Sequence, residues 1–332
     1  MEFTEKAPIE EGFAPVFQDR LAPELERLEE TRQTLLAKAK RHAGIALAVA
    51  AALSLLSVVY GSGDVWVGPI VLMAFGGLAA WFLWRRQAHR WSGSMAEVVM
   101  PPVCDFLGGL SYDRAALDRF PLDRVVSLGL LDEHNRTSLQ DRIEGSYRGT
   151  GFEMVEAHLR RRTRSAGDDD DDSSEKTVFK GLLFRIDVPE PAPTPILIAR
   201  DFGSFGNKLN AFFASGRGRN MPRVEVDHPE FEQHFEMHAE DPEAARGYLP
   251  PEFLDNLIAI AKHESDEGLA GMTAGFQRDS FYLALARKTD FLELGGLRQP
   301  VGEIEGELHE VFEDLAMVRR IIDRLHGDAP EV

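Results

Sequence analysis

"AGIALAVAAALSLLSVVYGSGDVWVGPIVLMAFGGLAAWFLW", residues 43–84, carries one charged side chain, Asp64. As helices, residues 43–60 reach about 27 Å and residues 65–84 about 30 Å, at 1.5 Å per residue, which matches the hydrocarbon thickness of a bilayer. A helix at the surface of a soluble protein keeps a polar stripe on its outer face, and neither run has one. The stretch therefore reads as a two-helix transmembrane hairpin, with Gly61, Ser62, Gly63 and Asp64 as the turn. Trp66 falls near one interface and Trp81 and Trp84 near the other, where amphipathic rings settle. Neither run holds an ionisable group at mid-depth, which argues against an ion or proton path, and Pro69 with Gly76 and Gly77 suits close helix packing.

The flanks orient the hairpin. Lys38, Lys40 and Arg41 precede it and Arg85, Arg86 and Arg90 follow it, while the turn has no cation. The positive-inside rule places both termini in the cytoplasm. No cleavable signal precedes the first run, which begins behind an acidic amphipathic segment.

Before the hairpin, Leu21, Leu25, Leu28 and Leu35 recur at helical spacing, with Pro23 in the first turn. Arg32 interrupts that stripe, which favours packing on the protein's own domain over a coiled-coil stalk. After it, helical sequence runs to Met100, where Pro101 and Pro102 are expected to end it. Strand signals follow a connector: two strands around Gly149-Thr150-Gly151, then "KTVFKGLLFRIDV", "TPILIARDF", "RVEVD", "FEQHFEMHA", "LAGMTAGF" and "SFYLALAR". "PEFLDNLIAIAKH" reads as a helix, and Val301, Ile304, Leu308, Val311, Leu315, Val318, Ile322 and Leu325 mark a long last one. Phe312 and Ile321 widen its apolar stripe beyond a coiled-coil seam, so it is expected to lie on the sheet. The fold class is α+β: a transmembrane hairpin, then a cytoplasmic, mostly antiparallel sheet domain with a long C-terminal packing helix. The expected divisions are a juxtamembrane helix at 1–42, the hairpin at 43–84, a helical connector at 85–138, the sheet domain at 139–326 and a tail at 327–332. A run of five aspartates marks a disordered acidic loop at 165–176.

Charge narrows the partners. Of the net −18, residues from 166 onward contribute 34 acids against 17 bases, a surface that repels phosphate backbones and excludes nucleic acid. The bilayer, other membrane or cytoplasmic proteins and further copies of the chain remain as partners. The single Cys104 permits no internal disulfide and reads as a small buried hydrophobe. "HLRRRTR", residues 158–164, either touches anionic lipid or neutralises neighbouring acids.

Candidate chemistry is sparse. Read as a strand, "FEQHFEMH" puts Glu232, His234, Glu236 and His238 on one face, and His234, Glu236 and His238 could ligate zinc or a similar divalent ion. No other cofactor is predicted. Asp201-Phe202-Gly203 lacks the rest of a kinase's machinery, and Ser215 lacks the flanking glycine of a nucleophile elbow. Residues 203–222 read instead as a long loop in which function can reside.

The order of segments, "IEGSYRGTGFEMVEAHL", a charged loop, "TVFKGLLFRIDV" and then "VEVDHPEFEQHFEMHAEDPEAARGYLPPEFLDNL", resembles a family of bacterial membrane proteins catalogued as domain of unknown function 3137. The resemblance implies a bacterial inner-membrane setting and a cytoplasmic domain, and it carries over no catalytic or binding residue. Together these readings predict a bacterial inner-membrane protein that tethers a cytoplasmic binding or scaffolding module; the alternative is a membrane-anchored, metal-dependent enzyme.

Overall fold

The computed structural model describes residues 1–60, 67–117, 119–164, 173–200 and 221–328. The expected turn at 61–64 and the Asp201-Phe202-Gly203 and Ser215 motifs lie outside these. The chain divides into two compact units, Met1–Phe106 with Glu293–Phe312, and Leu107–Leu292 with Glu313–Val332.

In the first unit, short helical turns at Pro8–Glu10, Phe13–Val16 and Phe17–Leu21 lead into α1 (Ala22–Tyr60), and α2 (Val67–Leu107) follows. Both helices are long and apolar enough to cross a membrane. Their contact begins with small residues, because only these let two backbones approach closely. A Cβ on Gly76 would stand 2.2 Å from the Ala50 methyl, and Ser54 donates its hydroxyl to the Pro69 carbonyl at 3.1 Å. Further along α2 the same stripe continues in larger residues, Trp91, Met95, Val99 and Val103, all buried.

Two expectations are corrected here. The helix passes through Pro101 and Pro102 to Leu107. Interior proline loses an amide bond and costs about 3 kcal/mol, and here it is offset by the buried packing of Val99, Met100, Pro102, Val103 and Cys104. Arg32 does not interrupt the packed stripe of α1 but belongs to it. It is 6% exposed, pairs with Glu29 at 2.6 Å and donates to the Leu297 carbonyl at 3.1 Å. Phe3, Phe13, Phe17, Phe106 and Phe312 form an aromatic cluster, with Phe13 and Phe312 centroids 4.8 Å apart. Phe312 comes from the last helix, α7 (Glu305–Leu325), whose first residues belong to this unit.

The second unit is built on a sheet. Among the described residues nine strands order as β1-β2-β3-β4-β9-β8-β5-β7-β6, all neighbours antiparallel. They are β1 (Ser111–Ala115), β2 (Arg136–Tyr147), β3 (Thr150–Arg164), β4 (Ser173–Asp187), β5 (Ile196–Arg200), β6 (Arg223–Val224), β7 (Phe235–Ala239), β8 (Met272–Gln277) and β9 (Ser280–Ala286). The expected β2–β3 hairpin closes through Arg148 and Gly149, with φ of 52° and 80°. Two positive φ values in a two-residue loop give the type I′ turn that matches strand twist, and Gly149 takes one without strain.

The 85–138 stretch is not purely helical. It contains β1 as well as α3 (Leu122–Leu128), and β1 completes the sheet edge against β2. The acidic loop is also shorter than expected, because Ser173 already starts β4. Residues 173–177 find ladder partners on the long β3, Glu175 opposite Arg162 and Lys176 opposite Arg161. Residues 165–172 lie outside the described residues.

Both sheet faces are covered. On one, Val155, Ala157, Leu159, Leu183 and Ala284 pack with Phe120, Val125, Leu128 and Leu131 from α3 and its flanks. On the other, Phe276 and Phe281 meet Phe253 of α6 (Pro251–Glu264), the helix expected from "PEFLDNLIAIAKH". The apolar stripe of α7 is buried within this chain, from Leu308 to Ile322. The expectation of a packing helix therefore holds. Between β6 and α6 lie two short helices, α4 (Pro229–His234) and α5 (Pro242–Tyr248).

Candidate functional site

The residues expected to gather a metal do not share a strand. His228 caps α4 by accepting the Phe231 N–H at 3.1 Å through Nδ1, and Pro229 supplies the fixed φ of a first helical position. That cap turns residues 229–234 into helix, so Glu232 and His234 leave the face on which Glu236 and His238 stand. Glu232 instead binds Arg223 at 2.7 Å and the Val226 N–H at 3.1 Å. Glu236 lies 3.5 Å from both Arg223 and His238, and His238 Nδ1 sits 3.2 Å from the Met221 carbonyl. Among the described residues no group of three or more His, Cys, Asp or Glu side chains is placed to hold a metal ion. The basic run 158–164 is engaged with acids: Arg160 meets Glu175 at 2.9 Å and Arg161 meets Glu133 at 3.4 Å. Cys104 is buried at 2% exposure, and burial pushes its thiol up to about 12, which leaves it an inert apolar group at neutral pH.

A concave apolar site lies elsewhere in the second unit. The end of β4, the β8–β9 hairpin, the start of α6 and the end of α7 enclose a cleft of about 290 Å³. Its floor is a ring cluster: Phe276 and Phe281 centroids lie 4.8 Å apart, Phe253 is 5.6 Å from Phe276, and Tyr248 is 5.5 Å from Phe276. Pro250, the residue before the first turn of α6, lies at the cleft edge, and Ile322 and Leu325 close it from α7. The rim is polar. Thr150 Oγ1 and His326 Nε2 are 2.8 Å apart, and Tyr248 donates its hydroxyl to the Glu190 carbonyl at 2.7 Å. An apolar, partly pre-formed hollow with a few polar groups at its mouth suits an apolar ligand group oriented by one or two hydrogen bonds.

A second feature is a buried carboxylate cluster on β2 and β3. Glu156, 3% exposed, accepts the Gln140 side-chain amide at 2.8 Å and the Phe291 N–H at 3.3 Å. Burial, aided by Asp290 and Asp141, pushes its carboxyl up to about 7 against the opposing pull of those two hydrogen bonds. Asp141, at a β-bulge between Gln140 and Ile143, is also raised by burial while Tyr112 donates its hydroxyl to it. Glu156 therefore gains and loses a proton near neutrality. The alternation of "GFEMVEAHL" puts Glu156 on the same strand face as Phe152 and Met154, so its burial is written into the local sequence. The cleft has no such local signal, because its walls come from segments far apart in the chain.

No curated protein matches the chain significantly. Among solved structures, the crystal structure of the mycobacterial trehalose monomycolate transport factor A, TtfA, is similar at 10% identity and a TM-score of 0.31, covering 67% of this chain and 90% of that one. Residues 177–326 match a protein family described as "Protein of unknown function (DUF3137)". That span runs from β4 to the end of α7 and contains the cleft's phenylalanines. From residue 177 to residue 326, somewhat under half of its length, the chain is therefore similar to the DUF3137 family.

Proposed function

We propose that this protein is a membrane-tethered binding module, with α1 and α2 as a two-pass anchor in a bacterial inner membrane, both termini cytoplasmic, and the cleft of the DUF3137 domain as its binding site. One observation carries the tether. Among the described residues, seventeen of eighteen exposed large apolar side chains fall between Ile45 and Phe82, the exception being Leu117. Leaving an aliphatic or aromatic side chain in water costs roughly 1.5–3 kcal/mol, so this continuous belt, from Leu55 at 68% exposed to Phe75 at 66%, needs an apolar surrounding. A core helix of a soluble protein would bury the same residues. The cations at 38–41 and 85–90 support the cytoplasmic placement of the ends.

The test is membrane fractionation with an alkaline carbonate wash, together with a C-terminal reporter active only in the cytoplasm. The chain is expected to stay in the washed membranes with the reporter active. Release into the supernatant would end the anchor reading, and a reporter active only on the far side would reverse the orientation.

A further inference from the structure

The two apolar helices of the first unit are antiparallel, with their register set where Gly76 meets Ala50. Nine residues along each helix from that contact, about 13.5 Å at 1.5 Å per residue, Arg41 comes level with Arg85. The three cations of α1 (Lys38, Lys40, Arg41) and the three of α2 (Arg85, Arg86, Arg90) thus surround one end of the apolar belt.

A seventh cation joins them from the far end of the sequence. The guanidinium of Arg298 lies 4.5 Å from the ring centre of Trp84, as that of Arg85 lies 5.1 Å from Trp81. Its segment is fixed on the helices of the same unit by two bonds: Trp91 Nε1 donates to the Gly295 carbonyl at 3.0 Å and Arg32 to the Leu297 carbonyl at 3.1 Å. A guanidinium held over an indole ring keeps its charge beside a residue type that settles at the bilayer interface.

These cations stand together in a chain of net charge −18. Among the described residues, none of the seven forms an ion pair, whereas Arg32, Arg142 and Arg320 are each held by carboxylates. The next acids along the helices are Glu30 on α1 and Glu97 on α2. They lie seven or eight residues away, about 10–12 Å, beyond the screening length of about 8 Å at physiological salt. A cluster of unpaired cations at the foot of an apolar belt, two of them stacked on interfacial tryptophans, is complementary to a negatively charged headgroup layer.

We propose that these cations form a collar that binds anionic phospholipid headgroups, with Arg298 as its contribution from the C-terminal part of the chain. This inference rests on the anchor reading and adds the lipid class that the anchor selects.

The test reconstitutes the full-length chain into nanodiscs of phosphatidylcholine alone and of equal parts phosphatidylcholine and phosphatidylglycerol, then quantifies the lipids that stay with the protein on extraction. At low salt the anionic lipid is expected at roughly three times its bulk ratio, falling toward the bulk ratio at about 1 M salt. The triple variant Arg85→Gln, Arg86→Gln, Arg298→Gln is expected at the bulk ratio, and Arg298→Lys alone is expected to keep most of the enrichment. A wild-type ratio equal to bulk, or a triple variant indistinguishable from wild type, would overturn the proposal. So would displacement of the anionic lipid by soluble glycerol phosphate, which would mark a site for a free anion. Failure to enter either nanodisc would remove the anchor reading and the collar together; entry into both without enrichment would remove the collar alone.

Discussion

Gly76 and Ala50 touch across α1 and α2: a methyl group on Gly76 would stand 2.2 Å from the Ala50 Cβ and 3.5 Å from the Ala46 carbonyl. Gly77, one residue on, has nothing within 4 Å of the same position. Gly76→Val is therefore expected to push the helices apart and lower stability by about 1–3 kcal/mol, while Gly77→Val changes it little. Thermal unfolding of the full chain in detergent micelles reads both. Equal losses from the two variants would remove the close contact as the cause.

Burial raises the Glu156 carboxyl to about 7 from its usual 4.5. The folded state then holds this proton more tightly than the unfolded chain. The stabilisation is full below pH 4.5 and is lost as pH rises through about 7. Asp141, also raised by burial, acts in the same direction. Glu156→Gln keeps an acceptor for the Phe291 N–H without the charge, and should raise stability at pH 8 by up to about 3 kcal/mol while changing it little at pH 5. Denaturant midpoints at the two pH values measure this, and an unchanged pH dependence in the variant would refute it.

The sheet was legible because β4 and β9 carry short apolar runs, buried on consecutive residues because both faces of the sheet are covered, and the last helix because burial along α7 recurs every three or four residues. What was not legible arose where a local signal was outweighed. Pro101 and Pro102 argue for a stop, yet the packing of Val99 and Val103 around them carries the helix on. "FEQH" alternates like a strand, yet the His228 cap and Pro229 make it helix, and with that turn the His234, Glu236, His238 set comes apart. The Asp64 turn lies outside the described residues. Arg298 could not have been assigned to Trp84 from spacing, since more than two hundred positions separate them.

Arg32 and Glu29 make a second titratable prediction. The Arg32 hydrogen bonds hold the Glu29 carboxyl down at about 2, against its partial burial, with further help from Gln33 and the Val301 N–H. A depressed folded value means stability that is present above pH 4.5 and lost as pH falls through about 2. Arg32→Ala removes the partner of a half-buried carboxylate and orphans the Leu297 carbonyl, and should lower stability by roughly 2–4 kcal/mol at pH 7. Arg32→Met, which keeps the packing, should recover only part of it. Urea midpoints for the two variants decide the matter, a loss below about 0.5 kcal/mol being the outcome against it.

The cleft is testable with hexanoate as a small apolar probe, read by saturation-transfer NMR on nanodisc-held protein. Leu325→Trp should fill the hollow and weaken the protein-specific signal about tenfold, the equivalent of roughly two buried methylenes. The same signal from wild type and variant would place the probe elsewhere.

The first unit takes residues from two widely separated stretches of the chain, Met1–Phe106 and Glu293–Phe312. On the ribosome its helices emerge long before Gly295, Leu297 and Val301 exist to satisfy Trp91, Arg32 and Glu29. That unit can therefore close only after the whole intervening sheet has been translated, so a premature stop upstream of residue 293 would leave α1 and α2 without the partners of Trp91, Arg32 and Glu29.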